Sequence, residues 1–342
     1  MSDRTFNVAV VGATGAVGEA MLSILDERDF PVGEVYALAS SRSAGKKVAF
    51  GSKMITVQDL AAFDFTQVQV ALFSAGADVS DSYAQKAAES GAVVIDNTSR
   101  FRYDEDIPLV VPEVNPEMIG DYVNRGIIAN PNCSTIQMLV AVNPIHRAVG
   151  ISRINVCTYQ AVSGSGRKAV EGLARETAQL MNAKPVTSTV YPRQIAFNVL
   201  PQIDRFEENG YTREEMKMVW ESRKILGDEG LQVNPTAVRV PVFYGHSEAV
   251  HLETREKITV EEARALLEKA PGVTVLDDRA DGGYPTPVTE SSGNDAVFVG
   301  RIREDISHAT GLDLWVVADN VRKGAALNSV QIAEILVKDY LQ

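Results

Sequence analysis

Residues 7–18, which read Asn-Val-Ala-Val-Val-Gly-Ala-Thr-Gly-Ala-Val-Gly, decide how the first part of the chain folds. The apolar, β-branched run that ends at Val11 predicts a strand, and residues 19–27 have the apolar spacing of a helix. A strand, a glycine turn and a helix form the context of the dinucleotide fingerprint, here spaced GxxGxxG rather than GxGxxG. Such glycines let the backbone approach a pyrophosphate that rests on the helix N-terminus. A purely structural turn is the alternative interpretation.

The loop after the second predicted strand, residues 35–39, bears on cofactor choice. An NAD site usually places an acidic residue here to hold the ribose hydroxyl. The chain instead has Ser40-Ser41-Arg42-Ser43, followed by two lysines, with no carboxylate before residue 48. Hydroxyls and cations suit the 2′-phosphate of NADP. A solvated basic loop is the alternative.

Further strands at 68–73 and 92–95, with a helix at 78–90 between them, extend the alternation of strands and helices. That alternation predicts an α/β fold with a doubly wound, Rossmann-type parallel sheet, in which ligands collect at the carboxyl ends of the strands. Three small, polar loops fall at those ends, at residues 12–18, 40–45 and 74–76. Their agreement favours a nucleotide site more than any single loop does.

The alternation stops after residue 150, where strands outnumber helices. Helices are predicted at 167–182 and 212–226, and strands at 151–162, 237–244, 249–254, 273–276, 296–302 and 312–318. We expect an α+β catalytic and dimerisation domain with a mostly antiparallel sheet. A final helix at 325–341 is expected to pack back on the first domain. The predicted domains are residues 1–132 with 320–342, and residues 133–319.

Cys133, one of two cysteines in 342 residues, follows the buried-strand pattern of Ile127–Ala129 and precedes an apolar run with helical spacing. It is therefore predicted to sit at a helix start, where free amides and the helix dipole favour a thiolate. The alternative is an inert, buried small residue.

Composition excludes several classes of function. The net charge of −12 argues against nucleic acid or an acidic membrane surface as the main partner. The chain has no run of about 18 apolar residues, so no membrane span is predicted. Met1 to Arg4 lead straight into a predicted strand, so no signal peptide is expected. Two cysteines suit a reducing cytoplasm, and neither the cysteines nor the four histidines have metal-ligand spacing.

A nicotinamide site together with a reactive cysteine suits aldehyde chemistry, in which the thiolate adds to the aldehyde, hydride is given up and a thioester remains. Such chemistry needs a base, and His246 is the first choice because it follows a predicted strand among small residues. Arg239 precedes it by seven residues on what reads as the same strand, which would place the two side chains on opposite faces. Arg102 follows the fourth strand. Glu214 and Lys217 share a helix face, and by themselves they read as a surface ion pair.

Several motifs together resemble the aspartate-semialdehyde dehydrogenases over the whole chain. They are Gly12-Ala-Thr-Gly-Ala-Val-Gly18, Asn130-Pro-Asn-Cys-Ser-Thr135, Tyr159-Gln-Ala-Val-Ser-Gly164, Glu214-Glu-Met-Lys217, Arg239 with Gly245-His-Ser-Glu248, and Asp319-Asn-Val-Arg-Lys-Gly324. Their order and spacing make a chance resemblance very improbable.

The resemblance implies catalytic roles for three residues: Cys133 as the nucleophile that forms a thioester, His246 as the acid/base, and Gln160 as the residue that orients the substrate. It implies a substrate site in which Arg239 binds the α-carboxylate and Glu214 faces the amine. The resemblance therefore replaces the interpretation of Glu214 and Lys217 as a surface ion pair. The remaining implied substrate residues are Arg102 and Lys217 for phosphate, and Asn132.

The resemblance also implies an NADP site and a homodimer formed through the second domain. The implied cofactor residues are Gly12, Ala13, Thr14, Gly15, Ala16, Val17, Ser40, Ser41, Arg42, Ser43, Ser74, Ala75, Gly76, Ser163, Gly164 and Asn320.

The implied activity is NADPH-dependent reduction of L-aspartyl-4-phosphate to L-aspartate-4-semialdehyde and phosphate. Its products feed the biosynthesis of diaminopimelate, lysine, threonine, methionine and isoleucine. One alternative is another phosphorylating aldehyde dehydrogenase, of the N-acetylglutamyl-phosphate or glyceraldehyde-3-phosphate type. The other is a catalytically silent homologue that only binds a nucleotide or a partner.

Overall fold

The computed structural model describes residues 4–341. The expectation of no signal peptide rests partly on Met1 to Asp3, which lie outside the described residues. The chain divides into two compact units, residues 1–131 with 325–342 and residues 132–324. Residue 132 and residues 320–324 belong to the second unit, whereas the sequence placed them in the first domain.

The first unit contains a six-stranded parallel sheet with helices. Its strands are β1 (Phe6–Val11), β2 (Val32–Ala39), β5 (Gln58–Asp59), β6 (Val70–Phe73), β7 (Val93–Asp96) and β8 (Ile127–Ala129), with a separate hairpin of β3 (Lys47–Phe50) and β4 (Lys53–Thr56). Its helices are α1 (Ala16–Glu27), α2 (Ala77–Glu89) and α7 (Leu327–Ile335), the last flanked by wider turns at Arg322–Ala326 and Leu336–Tyr340.

The strand order of this sheet is β5-β2-β1-β6-β7-β8, and all its pairings are parallel. Val8 to Val11 have no exposed surface, as expected for a parallel strand covered on both faces. α7 packs against α1, and Arg28 binds Glu334 through two hydrogen bonds. The predicted Rossmann-type sheet and the return of the last helix to the first unit are both confirmed.

The second unit is built on a mixed six-stranded sheet of order β10-β9-β11-β14-β13-β12. The strands are β9 (Ile151–Gln160), β10 (Gln232–Arg239), β11 (His246–Thr254), β12 (Val273–Val275), β13 (Val297–Glu304) and β14 (Gly311–Ala318). Its helices are α3 (Cys133–Val149), α4 (Arg167–Met181), α5 (Arg213–Leu226) and α6 (Val260–Lys269). The three central pairings are antiparallel, and the two outer ones, β10 with β9 and β12 with β13, are parallel.

One predicted strand is wrong in extent. Residues 237–244 were expected to form one strand, but β10 ends at Arg239 and residues 240–244 form a turn. Pro241 has no backbone N–H to donate to a sheet ladder, and Gly245 adopts a left-handed φ of 88°. The apolar residues of this turn resemble a strand in sequence, and all of them are partly or fully exposed.

The sheet of the second unit is covered unequally. α3 packs against its central strands, and α5 and α6 lie beside α3. The opposite face carries Tyr159 and Trp315, whose rings lie 5.7 Å apart, next to a depression of about 390 Å³ lined mostly by apolar surface. Among the described helices, none is long and apolar enough to cross a membrane.

Candidate active site

Cys133 is the first residue of α3, as predicted. Asn132 is the N-cap, and its Oδ1 accepts a hydrogen bond from the backbone N–H of Ser134 at 3.0 Å. Cys133 is not part of a disulfide and is partly exposed. A thiol here lies at the positive end of a 17-residue helix, which favours its ionised, nucleophilic form.

Glu214 connects this helix start to the central sheet. α5 begins with a capping box of Thr212 and Glu215, which fixes the first turn and directs Glu214 inward. Glu214 Oε1 accepts hydrogen bonds from Asn132 Nδ2 and Gln160 Nε2, both at 3.0 Å. Because Glu214 is 6% exposed, interpreting it as part of a surface ion pair is wrong.

Lys217 lies one turn further along α5, and its Nζ donates to Glu214 Oε2 at 2.8 Å and to Asp204 Oδ2 at 3.2 Å. Burial raises the pKa of Glu214, but Lys217, Gln160 and Asn132 outweigh it and leave the value at about 2. Glu214 is therefore a fixed negative charge at neutral pH.

Gln160, Arg239 and His246 meet at one end of the sheet. Gln160 ends β9, Arg239 is its register partner on β10, and His246 begins β11, which pairs with β9 on the other side. The expectation that Arg239 and His246 share one strand, on opposite faces, is wrong. The turn at 240–245 separates them onto two strands that flank β9, and so brings both side chains to Gln160.

His246 is fully buried, and its hydrogen bonds define its tautomer. The backbone N–H of Ala161 donates to Nδ1 at 3.0 Å, which assigns the proton of the neutral ring to Nε2. Burial, and then the charge of Arg239, lower the pKa of His246 to about 3. The ring is thus neutral at pH 7, with an Nε2–H to donate.

The Gln160 side chain is held at both ends. Its Oε1 accepts from Thr158 Oγ1 at 3.0 Å, and its Nε2 donates to Glu214. Gln160 Nε2 lies 3.4 Å from His246 Nε2, a contact between two groups that both carry hydrogen. The amide therefore has one orientation and borders the imidazole.

Arg239 is a buried cation whose hydrogen-bond donors are not all used. Its Nη1 donates to the carbonyl of Ala161 at 2.8 Å, while Nε is buried and has no hydrogen-bond partner within residues 4–341. No carboxylate of the described chain lies within ion-pair distance of it. A Cβ at Gly164 would lie 3.4 Å from Arg239 Nη1 and 3.5 Å from His246 Nε2, so this glycine keeps the space beside both side chains narrow but open.

Ser163 and Asn320, both expected to bind cofactor, are near Gly164 in the same unit. Asn320 Nδ2 donates to Ser163 Oγ at 2.9 Å, and Asn320 Oδ1 accepts from the N–H of Gly245 at 2.9 Å. These contacts fix the turn that precedes His246.

The other expected cofactor residues lie in the first unit, in loops after the adjacent strands β2, β1 and β6. Gly12 has φ of 90°, and a Cβ there would meet Ser74 and Ala75 at 3.0 Å. Gly15 and Gly76 precede α1 and α2, and neither provides a side-chain cap for its helix. Two adjacent helix starts without side-chain caps fit a pyrophosphate. Ser40 to Ser43 form the turn after β2.

Arg102 belongs to the first unit and is 6% exposed. Its Nη2 donates to the carbonyl of Asn97 at 3.0 Å, in the loop after β7. The structure thus gathers Cys133, Gln160, Glu214, Lys217, Arg239 and His246 within the second unit, whereas Arg102 is positioned by the carboxyl end of the parallel sheet.

Sequence reasoning missed two contributors. Glu221, seven residues after Glu214 on the same helix face, accepts the backbone N–H of Asn132 at 2.6 Å. Helical spacing from Glu214 could have indicated it. Gly324 lies so close to Cys133 that a Cβ there would be 2.8 Å from the cysteine Cβ, an approach that only glycine permits.

Comparison with known proteins agrees with this organisation. A family model described as "Semialdehyde dehydrogenase, NAD binding domain" matches residues 7–122, and one described as "Semialdehyde dehydrogenase, dimerisation domain" matches residues 142–323. An aspartate-semialdehyde dehydrogenase of Shewanella violacea is 63% identical over 337 residues, covering 98% of this chain and 99% of the relative.

Two solved structures extend the comparison. Aspartate semialdehyde dehydrogenase II of Vibrio cholerae, complexed with ASA, is 59% identical with a TM-score of 0.97, over 98% of this chain and 99% of that one. The enzyme of Candida albicans with NADP is 27% identical with a TM-score of 0.77, over 98% and 99% of the two chains.

Proposed function

The chain belongs to the aspartate-semialdehyde dehydrogenase family, as an oxidoreductase of aspartate-pathway amino-acid biosynthesis, and we propose how its own residues carry that reaction. In the proposed direction, Cys133 displaces phosphate from L-aspartyl-4-phosphate and forms a thioester. The thioester is then reduced to L-aspartate-4-semialdehyde, with the hydride that NADPH would supply when bound. The contacts of the second unit and the loops of the first support these steps.

Substrate recognition is assigned to two buried charges of opposite sign. Arg239 has a free Nε donor and no protein carboxylate, and a planar guanidinium suits the α-carboxylate of the substrate. Glu214 accepts three hydrogen bonds, and a carboxylate has about four acceptor positions, which leaves room for the substrate ammonium. This pair of charges is the observation that favours an amino-acid substrate.

The nucleophile is the Cys133 thiolate. Its helix start supplies a positive potential, and Asn132 fixes that start by capping α3 while bonded to Glu214 and Glu221. The thiolate attacks the acyl carbon, the carbon–oxygen bond to phosphate breaks, and phosphate leaves. Lys217 and Arg102 are the cations assigned to that phosphate.

His246 handles the proton. Because Nδ1 is occupied by the Ala161 N–H, the neutral ring presents Nε2–H as the acid to the oxygen that becomes negative after reduction of the thioester, and stabilises that charge through a hydrogen bond. The proton stays with the ring, and collapse of the oxyanion breaks the carbon–sulfur bond, which releases the aldehyde and restores the thiolate. Gln160, whose amide is held by hydrogen bonds with Thr158 and Glu214, orients the acyl group of the substrate.

The cofactor assigned to the first unit is NADP, which supplies hydride when bound. Residues 12–17 and 74–76 would hold its pyrophosphate at the helix starts, and Ser40 to Ser43 its 2′-phosphate, since residues 40–47 after β2 contain no carboxylate. Ser163, Gly164 and Asn320 are proposed to complete the site. In functional terms we assign residues 1–132 with 320–342 to the nucleotide and residues 133–319 to chemistry and dimerisation.

A homodimer is proposed through the open face of the second sheet. That face exposes Tyr159 at 37% and borders a mostly apolar depression beside Trp315, which an isolated sheet would leave in water. The matching family domain is a dimerisation domain. The expected compartment is the cytoplasm, because a catalytic thiol must stay reduced.

The experiment that tests the function compares three acyl phosphates as substrates for NADPH oxidation: aspartyl phosphate, N-acetylglutamyl phosphate and 1,3-bisphosphoglycerate. The account predicts turnover with aspartyl phosphate and, because only that substrate has both a free amine and an α-carboxylate, a large preference for it. A preference for either of the others would contradict the assignment of Glu214 and Arg239. No turnover with any of the three would favour a silent homologue.

A further inference from the structure

Glu248 is a buried acid that the proposed reaction does not use. It lies two residues after His246 on β11, so the two side chains point to the same face of the sheet, toward α3. Glu248 has no exposed surface, and neither carboxylate oxygen has a hydrogen-bond partner in the described chain. Thr158, which pairs with Glu248 across the sheet, donates its hydroxyl hydrogen to Gln160 and is not available to Glu248.

An ionised carboxylate would be very costly in such a position. A buried charge without a counter-ion or hydrogen-bond donors is avoided in folded proteins, and the group takes up a proton instead. In agreement, burial raises the pKa of Glu248 well above its usual value, and the neighbouring Gln137 amide only partly opposes this. A protonated carboxyl group has one O–H to donate.

Gln137 supplies the matching acceptor. This residue lies four positions after Cys133 on α3 and is also fully buried. Its Nε2 is directed at the carbonyl oxygen of His246, at 3.5 Å, and its Oε1 has no partner among residues 4–341. A proton on Glu248 therefore satisfies two buried orphan groups with a single hydrogen bond.

The orientation of the Gln137 amide supports this assignment. If the amide were reversed, its oxygen would face the His246 carbonyl, and two acceptors would oppose each other. With the present orientation Nε2 faces the His246 carbonyl, and Oε1 is left buried without a donor. A neutral Glu248 has an O–H that can supply this donor.

We propose that Glu248 is a positioning residue that remains protonated and donates its O–H to Gln137 Oε1. Gln137 in turn bonds the His246 backbone, so the bridge joins the helix that begins at Cys133 to the strand that begins at His246. This proposal rests on the proposed function only for the roles of Cys133 and His246. A protonated acid also keeps a second negative charge away from the thiolate that starts α3.

Two variants separate the hydrogen bond from the bulk of the side chain. E248Q is neutral at every pH and offers an N–H to Gln137, so we expect kcat to stay within about threefold of the parent value. E248M keeps the length and apolar bulk but has no donor, and we expect kcat to fall about tenfold or more because reacting groups shift. KM for the substrate should change little in E248M, because Arg239 and Glu214 keep their contacts.

Q137M tests the other end of the bridge. It should match E248M in kcat, and the double variant E248M/Q137M should be no slower than either single variant, since both remove the same interaction. Independent, additive losses would contradict the bridge. E248M activity equal to the parent would overturn the proposal, and so would E248Q as slow as E248M, because the charge would then be the essential feature.

A matched control is Glu176, another buried glutamate of this unit. Its Oε2 accepts the backbone N–H groups of Ile195 and Ala196, at 2.9 and 3.1 Å. E176M removes this acceptor and leaves both N–H groups buried without it, so it should lower the melting temperature without the kcat pattern of the Glu248 variants. E248Q should leave the melting temperature the same or raise it.

Infrared difference spectroscopy between the parent protein and E248Q keeps the proposal testable even if E248M does not fold. We expect a protonated-carboxyl C=O band that is present in the parent at neutral pH, absent in E248Q, and shifted in Q137M. Absence of that band from the parent would overturn the proposal. This measurement needs no substrate, so its outcome is independent of whether the proposed reaction is correct.

Discussion

Asn132 bonds Glu214 and caps the helix of Cys133 with one side chain. Its Nδ2 donates to Glu214 Oε1 at 3.0 Å while its Oδ1 accepts the N–H of Ser134 at 3.0 Å. Glu214 in turn holds Gln160 at 3.0 Å. The carboxylate assigned to the substrate amine and the helix assigned to the nucleophile are thus joined through a single amide.

Substitution of Asn132 separates its two contacts. N132S keeps a side-chain oxygen that can cap α3 but cannot reach Glu214, whereas N132A loses both. We expect N132A to lower the free energy of unfolding by about 1 kcal/mol. N132S, which keeps the cap, should be less destabilised than N132A in urea denaturation. Both should lower kcat/KM about tenfold or more, because a donor to a buried charge is lost.

The matched control is E207Q. Glu207 is a partly exposed carboxylate that binds Arg213, the residue before Glu214 on α5. The kcat/KM of this variant should remain within about twofold of the parent, as expected for a solvated ion pair. Parent-like kcat/KM in N132S would show that the Asn132–Glu214 contact does not contribute to the reaction.

The neutral, buried His246 predicts a specific acid sensitivity. Its pKa in the folded protein is about 3, compared with 6.5 for an unperturbed histidine. The unfolded chain therefore binds a proton between these values that the folded chain does not, and stability falls as pH drops below about 6.5. From about pH 6.5 to about pH 5 this loss is about 2 kcal/mol.

H246Q removes this contribution, so its urea midpoint should fall less than that of the parent between about pH 7 and about pH 5. Glu214 does not interfere in that range. Its pKa is about 2 when folded and 4.5 when unperturbed, so its stabilising effect is present above 4.5 and is lost only as pH falls further. Equal changes in the parent and H246Q would contradict a neutral, buried histidine.

The cofactor assignment predicts that Arg42 discriminates between nucleotides. R42A should raise KM for NADP about tenfold, through loss of a charge-assisted contact with the 2′-phosphate, and should leave KM for NAD nearly unchanged. Steady-state kinetics with both cofactors make the comparison. A parent enzyme that prefers NAD, or an R42A variant with equal losses for both, would be inconsistent with the Ser40–Ser43 assignment.

The open face of the second sheet predicts that a charge there disrupts a dimer. Y159E should sediment as a monomer at concentrations where the parent sediments as a dimer, because the carboxylate would be buried without a partner. I306E, on a fully exposed side chain between β13 and β14, is the control and should remain dimeric. A monomeric parent, or a dimeric Y159E, would argue against this face.

Local patterns were sufficient to predict the parallel sheet and the helix that begins at Cys133. The strand, glycine turn and helix at residues 6–27 need only neighbouring residues to be specified, and the strand of Ile127–Ala129 ends at Pro131. The last helix was also predicted to return to the first unit, because its apolar face required a partner.

Long-range packing explains the errors. Arg239 and His246 read as one strand because the residues between them are apolar, whereas pairing of both neighbouring strands with β9 is not encoded locally. Glu214 and Lys217 read as a surface pair because burial of a helix face depends on what packs over it. The Gln137–Glu248 contact joins residues more than a hundred positions apart, and no motif indicated it.

The most direct test of the central claim is mass spectrometry of the enzyme after acid quenching with aspartyl phosphate in the absence of NADPH. The account predicts release of phosphate and one aspartyl group in thioester linkage on the peptide that contains Cys133, with no adduct in C133S. An active enzyme that showed no adduct, or an adduct on another residue, would contradict Cys133 as the nucleophile.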